Sequence, residues 1–282
     1  GHRNAESTHM NTLRSLGSLG DYYRVKLKTD LAIEMQYRGA MLIWLIGAVL
    51  EPLVFLAVWS AAAAAQGGAI DGLTSHDFAA YFIASLVVNQ LTFSWVMWEF
   101  EHYIREGELA ADLLRPIHPI HQDICENWAH KLLTMTVVIP AVILLSLVFE
   151  PAWHFEAWSL LAFLPALLFA FALRFLFDWT LALIAFWTTR TASANQLAQT
   201  VFLFFSGRLA PLSLFPPVLV TISFILPFRW MLAFPIELIL GQLTPAQALW
   251  GMAIQLGWIA AILLLMRFVW RVAIRRFSAV GG

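Results

Sequence analysis

Tyr103-Ile-Arg-Glu-Gly-Glu-Leu-Ala-Ala-Asp-Leu-Leu-Arg-Pro-Ile-His-Pro-Ile-His-Gln-Asp-Ile-Cys125 is the one long polar island between strongly apolar stretches on either side. Its centre repeats with helical spacing. Leu109, Leu113 and either Ile117 or Leu114 share a face, while Glu106, Glu108 and Asp112 lie elsewhere. Arg115-Pro116 ends the helix, because proline lacks an N–H and biases the preceding residue away from helical angles. The stretch therefore predicts a short amphipathic helix held between two membrane spans, where a soluble partner can press on a membrane part.

Composition supports that frame. Of 282 residues, 60% are hydrophobic and only 12% charged, and the mean hydropathy is +0.73. A soluble domain carries about 25% charged residues, so the chain reads as an all-α integral membrane protein. A net charge of −1 and the lack of a long basic run leave no footprint for nucleic acid. The single cysteine, Cys125, excludes an internal disulfide framework and reads as a packed small residue.

Working outward from the island, the flanking apolar segments predict spans 2 and 3 at about residues 78–98 and 131–149, the latter kinked at Pro140. Span 1 falls at about 41–62, with Gln66-Gly67-Gly68 and Asp71-Gly72 turning the chain into span 2. Span 4 covers about 158–187. Span 5 covers about 195–214, interrupted at Ser206-Gly207-Arg208 and Pro211, and span 6 covers about 249–269. Before span 1, Leu16, Leu19, Tyr23, Leu27, Leu31 and Met35 recur every three or four residues. Arg14, Asp21, Arg24, Lys26, Lys28, Asp30 and Glu34 fill the rest. Residues 13–36 thus predict a helix lying in the membrane interface, the alternative being a helix packed on a soluble partner. Residues 1–9 read as a cloning remnant ahead of a natural start at Met10, and 10–282 as one membrane domain. The apolar run before Ala61 is too long, and too far along the chain, for a cleaved secretory signal.

Two apolar pieces, 218–226 and 230–240, are separated by Pro227 and Arg229, and Pro235 interrupts the second. Both are too short to cross and predict an outer re-entrant hairpin between spans 5 and 6. Charge fixes the count at six. With the N-terminus inside, the cytoplasmic side holds Arg24, Lys26, Lys28, Arg38, Arg105, Arg115, Lys131, Arg190, Arg267, Arg271, Arg275 and Arg276, among others. The outer side holds only Arg208 and Arg229, beside five acidic residues. One extra crossing would put the C-terminal arginines outside.

Catalytic motifs are missing from the sequence. It has no Gly-x-x-x-x-Gly-Lys-[Ser/Thr], no Ser-His-Asp arrangement and no His-Glu-x-x-His. His118, His121 and Asp123 form the one cluster with metal-ligand spacing, and solvated loop histidines are the plainer reading. Arg174 and Asp178, four apart in span 4, predict a structural ion pair or a functional one. Glu51, near the middle of span 1, must face protein or water. Asn89, Gln90, Thr92 and Ser94 put a polar stretch in span 2 that lines a path or joins helices.

Two stretches together resemble the ABC-2-type permeases, the membrane subunits of a class of ATP-driven exporters. Ile104-Arg-Glu-Gly-Glu-Leu-Ala-Ala-Asp-Leu-Leu-Arg-Pro-Ile-His-Pro119 is similar to the cytoplasmic loop after their second span. Ser206-Gly-Arg-Leu-Ala-Pro-Leu-Ser-Leu-Phe-Pro-Pro217 with Leu226-Pro-Phe-Arg229 is similar to their outer hairpin, although Arg208 stands where an acidic or neutral residue is expected.

The resemblance implies a coupling helix docked on a separate ABC ATPase subunit. Leu109, Leu113 and Leu114 would seat in its groove, Glu106, Glu108 and Asp112 would lie at the contact, and Gly107, Arg115, Pro116 and Pro119 would shape the loop. Two ATPase copies would bind ATP and magnesium, this chain holding no cofactor. A second copy of the chain, or a related permease, would complete a path along which Glu51, Asn89, Gln90, Ser206, Gly207 and Arg208 are placed. The cargo would be an amphipathic or lipid-like compound. The expected setting is the cytoplasmic membrane of a bacterium, in contact with lipid and with both termini cytoplasmic. Two rival readings remain, a secondary transporter or channel built on Glu51 or Arg174–Asp178, and a lipid-modifying enzyme built on His118, His121 and Asp123.

Overall fold

The computed structural model describes residues 2–188 and 190–276, apart from the side chains of residues 2–18 and of Arg38. The expected interface positions Arg14 and Leu16 and the terminal residue Ser278 therefore lie outside what is described. Helix α1 (His2–Gln36) meets α2 (Arg38–Ala65) at Tyr37. A two-residue ladder, β1 (Ala69–Ile70) with β2 (Leu73–Thr74), closes through Asp71 and Gly72, both at positive φ as a tight hairpin requires. Thr74 then caps α3 (Ser75–Thr92). Its hydroxyl accepts from the Asp77 N–H while the Asp77 carboxylate accepts from the Thr74 N–H.

Phe93, Ser94 and Trp95 interrupt the helix before α4 (Val96–Arg105), and the short α5 (Glu108–Leu113) follows Gly107, whose φ of 79° suits glycine. Helix α6 (Ile120–Phe149) begins straight after Pro119. Helix α7 (Ala157–Ala182) runs on in a tighter turn to Phe186, and α8 covers Ala192–Phe205. The short helices α9 (Pro217–Ile225), α10 (Phe228–Met231) and α11 (Ala233–Ile239) precede α12 (Pro245–Ala273), which is capped by a Thr244–Gln247 box.

Five of these segments are long and apolar enough to cross a membrane: Gly39–Ala65, Ser75–Arg105, Ile120–Phe149, Ala157–Phe186 and Pro245–Ala273. The fold is that of an all-α, multi-pass membrane protein. Expected span 5 differs. Only the 14 residues of α8 are helical there, about 21 Å at 1.5 Å per residue against about 30 Å of hydrocarbon. Span 2 also differs, being broken at residues 93–95 where no proline or glycine stands.

The α3–α4 segment is the centre of the assembly. In its most apolar stretch 72% is buried, against 11% for α2 and for α6. Phe78, Phe82 and Val88 of α3 pack with Leu173 of α7 and with Trp230, Phe234 and Ile236 of the short helices. Gly251 of α12 permits that packing, since any Cβ there would strike the Phe234 ring. The α9–α11 region breaks at Leu226-Pro227 as expected. Its second break is at Leu232 rather than Pro235, because Pro235 sits in the first turn of α11, where its missing N–H costs nothing. Arg229 and Glu237 form a buried pair at 2.5 Å inside it.

Helix α1 also departs from expectation. Its charged residues do not all face away from the protein. Lys26, Asp30 and Glu34, spaced by four, turn toward α6 and meet Glu126 and His130, while Val25, Ile33 and Met35 are exposed. Pairing across the two helices makes this burial affordable in a way that hydrophobic periodicity does not reveal.

Candidate functional site

The break between α3 and α4 leaves backbone groups without helical partners in the middle of the protein, and side chains from three other helices gather around it. Lys131 of α6, only 2% exposed, donates its ammonium to the Phe93 carbonyl at 2.6 Å. Arg174 of α7, 1% exposed, donates to Asn89 Oδ1 at 2.8 Å and Thr92 Oγ1 at 3.1 Å, and its guanidinium lies over the Phe202 ring of α8. Asn195 of α8 donates to the Met97 carbonyl at 2.6 Å. Locally, only the Ser94 hydroxyl helps, accepting from the Val96 N–H at 3.3 Å.

The expected Arg174–Asp178 ion pair is therefore not formed. Arg174 is committed to α3, and Asp178 has no hydrogen-bond partner among the described residues. Lys131, placed by sequence among the charges outside the membrane, is instead a buried cap.

Phe93 and Trp95 stand on either side of Ser94 and face two different cavities. Trp44 of α2 touches both rings, with centroids 6.0 and 5.4 Å away, and also His130 at 5.6 Å. On the Phe93 side lies a narrow cleft of about 50 Å³ lined by Glu51, Asn89, Gln90, Phe55, Phe82 and Arg208. Glu51 and Arg208 pair across it at 2.5 Å, so the two charges whose roles were open neutralise each other.

Four of the six expected path residues thus line one cleft. Ser206 and Gly207 do not. They form the turn behind it, where Gly207 has φ 85° and its carbonyl accepts from the buried Tyr81 hydroxyl at 2.7 Å. On the Trp95 side a wider cavity of about 240 Å³ opens between α1, α4 and α6.

At the far end of α4, Glu101 accepts from both the N–H and the hydroxyl of Thr191, at 2.9 and 2.8 Å, and so ties α4 to the start of α8. The loop follows. Within it Leu109 is fully buried and Asp112 nearly so, the latter paired with Arg115 at 2.8 Å. Leu113 is half-buried, while Leu114 is 88% exposed, with Glu106, Glu108, Arg115 and Pro116 also outward. The expected docking face is thereby corrected. Six residues make too short a helix to present three leucines on one side, and Leu109 is the anchor that fastens the loop to its own chain.

Pro119 is buried and starts α6. His118 packs against Trp270 and Trp179 and accepts the Ile120 N–H through Nδ1 at 3.2 Å. Burial, and secondarily His121, lowers its pKa, which keeps the ring neutral in that role. His121 instead shares a bond with the Tyr23 hydroxyl at 2.7 Å, and Asp123 accepts from the Trp179 indole at 2.7 Å. The three candidate ligands thus turn to three different partners, and no metal-holding group of three exists among the described residues.

A family profile described as ABC-2 family transporter protein matches residues 43–281. The chain belongs to that family. No curated protein and no solved structure matches it. As an ABC-2 family protein it is a multi-pass membrane subunit of an ABC-type transporter, not catalytic by itself, of a kind that associates with an ABC ATPase. The short helix of the loop and the polar residues that meet at the cleft were legible in sequence. Lys131, Thr191 and the aromatic trio of Trp44, Phe93 and Trp95 were not. In the sequence Lys131 stands at the edge of the apolar run and reads as a flanking charge, whereas α6 begins eleven residues earlier, at Ile120.

Proposed function

We propose that this chain is the permease subunit of an ATP-driven exporter, forming half of a path for an amphipathic or lipid-like compound. Six crossings, α8 counted among them, would leave both termini on the cytoplasmic side of a bacterial inner membrane, with α9–α11 re-entering from outside. A second copy or a related permease would complete the path, and two ATPase subunits would bind ATP and magnesium.

The observation that carries the reading is mechanical. An outward Leu114 sits on a loop anchored by Leu109, the loop ends α4, and α4 is separated from α3 by a break but tied to α8. A push on the loop therefore moves α4 and α8 against α3. That motion shifts Trp95 relative to Phe93, and with them the partition between the two cavities.

Leu114→Asp tests this. The exposed side chain contributes little to folding, so insertion and thermal stability should be unchanged while the ATPase is shed or its hydrolysis no longer drives transport. Normal coupling in that variant would overturn the assignment of the loop. The topology is tested by impermeant thiol labelling of single cysteines, after Cys125→Ser, at Ser213, Thr244 and Ser278, the last outside the described residues. The first two should react in sealed cells and the third only after permeabilisation.

A further inference from the structure

The cavity on the Trp95 side has a neighbour of about 250 Å³ that shares its Val96, Glu99 and Glu126 walls and adds Glu108, Asp123 and Tyr103. Carboxylates dominate both. The basic groups on the walls are already engaged, since Lys26 bridges Asp30 at 2.6 Å and Glu126 at 2.8 Å, His130 faces Glu34 at 3.4 Å and His102 faces Glu106 at 3.8 Å. Glu99 is not committed. It stands exposed on the wall common to both cavities and has no hydrogen-bond or ion-pair partner among the described residues.

A second, independent feature points the same way. Asp30 is 4% exposed, lines the first cavity, and has its Oδ2 buried with no partner. A buried carboxylate oxygen left unpaired is costly unless something cationic visits it.

The chemistry of the visitor follows from the spacing. No three acidic, histidine or cysteine side chains approach closely enough to hold a metal ion among the described residues. Dispersed anions with apolar and aromatic surface between them, here Val96, Trp95 and Tyr103, suit a cation whose charge sits on a bulky organic body. We propose that these two cavities form a binding site for a lipophilic organic cation, its amine or onium centre facing Glu99 and its body against Trp95 and Val96. The cleft beyond Phe93, with Glu51 neutralised by Arg208, offers no such net charge. Charge selection would then occur before the aromatic partition. The proposal deepens the exporter reading by giving its cargo a charge, and only its transport consequence rests on that reading.

Equilibrium binding separates the two. The full chain in phosphatidylcholine nanodiscs, without ATP, is titrated with tetraphenylphosphonium and with tetraphenylborate, an anion of the same shape. Saturable binding of the phosphonium alone is expected, weakened at least tenfold by Glu99→Gln and retained in Glu99→Asp. Equal binding of the two ions, or unchanged phosphonium binding in a folded Glu99→Gln, overturns the site.

If Glu99→Gln does not fold, wild-type protein decides. Carbodiimide-driven amidation of Glu99, read by mass spectrometry, should be slowed by the phosphonium, and unslowed amidation overturns the site. Loss of the site would leave the Leu114→Asp coupling test untouched. Failed coupling would equally leave phosphonium binding intact.

Discussion

Two helices in this protein stop in the middle of the bundle, and they stop for opposite reasons. After α8 the chain breaks at Ser206–Ala210, where Gly207 takes a φ of 85° and Pro211 follows. Between α3 and α4 it breaks at Phe93–Trp95 with neither glycine nor proline present. The first interruption is written in its own residues. The second is written elsewhere: Lys131 caps the Phe93 carbonyl that a continuous helix would have used, while Arg174 holds the Asn89 and Thr92 side chains before the break and Asn195 the Met97 carbonyl after it. In an apolar medium each freed backbone group must be matched by protein, so a break without local punctuation needs distant donors, and buried ones.

The largest effect is expected from removing the donor with most partners. Arg174→Met deletes two charge-assisted bonds to α3 and the guanidinium's contact with Phe202, and should cost about 2.5 kcal/mol. The measurement is SDS-induced unfolding of the purified protein. A cost near zero would mean that the α3–α4 break does not depend on α7. Gly207→Ala probes the other break. Alanine is strained at positive φ by about 1 kcal/mol, and its Cβ would lie 2.6 Å from the Tyr81 hydroxyl. Losing that bond to the Gly207 carbonyl adds about 1 kcal/mol, for about 2 in all. Gly67→Ala is the control, with a similar φ of 89° but nothing within 4 Å, and it should show the strain alone. Equal costs at the two glycines would show that the α8 break is not held from α3.

The same contrast explains what could be read from sequence. The Asp71-Gly72 turn, the Leu226-Pro227 break and the Pro116 stop are short-range, and each falls where local chemistry puts it. Glu51, Asn89, Gln90 and Arg208 converge on one cleft because a polar residue inside an apolar stretch must find protein or water. Pairings across the bundle follow no such rule. That Lys26 meets Glu126, or that Arg174 prefers Asn89 to Asp178 one turn away, depends on how helices are rotated against each other. Hydrophobic period fixes a stripe about 100° wide and not its partner. Leu109 and Leu114 were both apolar and both on the loop, and only packing decided that one is anchor and the other surface.

Lys131→Met takes the donor from the Phe93 carbonyl while keeping the length of the side chain. Part of the loss is offset because an uncharged residue no longer has to be buried, so the expected cost is about 1.5 kcal/mol. The local readout is sharper than the global one. Backbone amides of residues 92–98 should exchange hydrogen faster while those of α3 up to Val88 keep their protection. Uniformly faster exchange along α3 would indicate general destabilisation and remove Lys131 from its role as a cap.

Ser94→Ala is the smallest perturbation and tests the comparison from the inside. Ser94 is the only residue in the break whose own side chain serves the backbone there, and its bond to the Val96 N–H is long, 3.3 Å. Ser94 stands one residue before the N-cap, Trp95, so its hydroxyl makes a local turn bond of a kind worth about 1 kcal/mol with good geometry, and a 3.3 Å contact lies beyond the usual range for such bonds. About 0.5 kcal/mol is therefore expected, a third of the effect of Lys131→Met. The two changes act on adjacent groups, the carbonyl of Phe93 and the amide of Val96, so the double variant need not be additive. If the break is held mainly from α6 and α7, losing the local bond on top of the distant one should add little, because residues 93–95 will already have loosened. If Ser94→Ala instead costs as much as Lys131→Met, the break is punctuated locally after all. The two interruptions would then differ in residue type but not in kind.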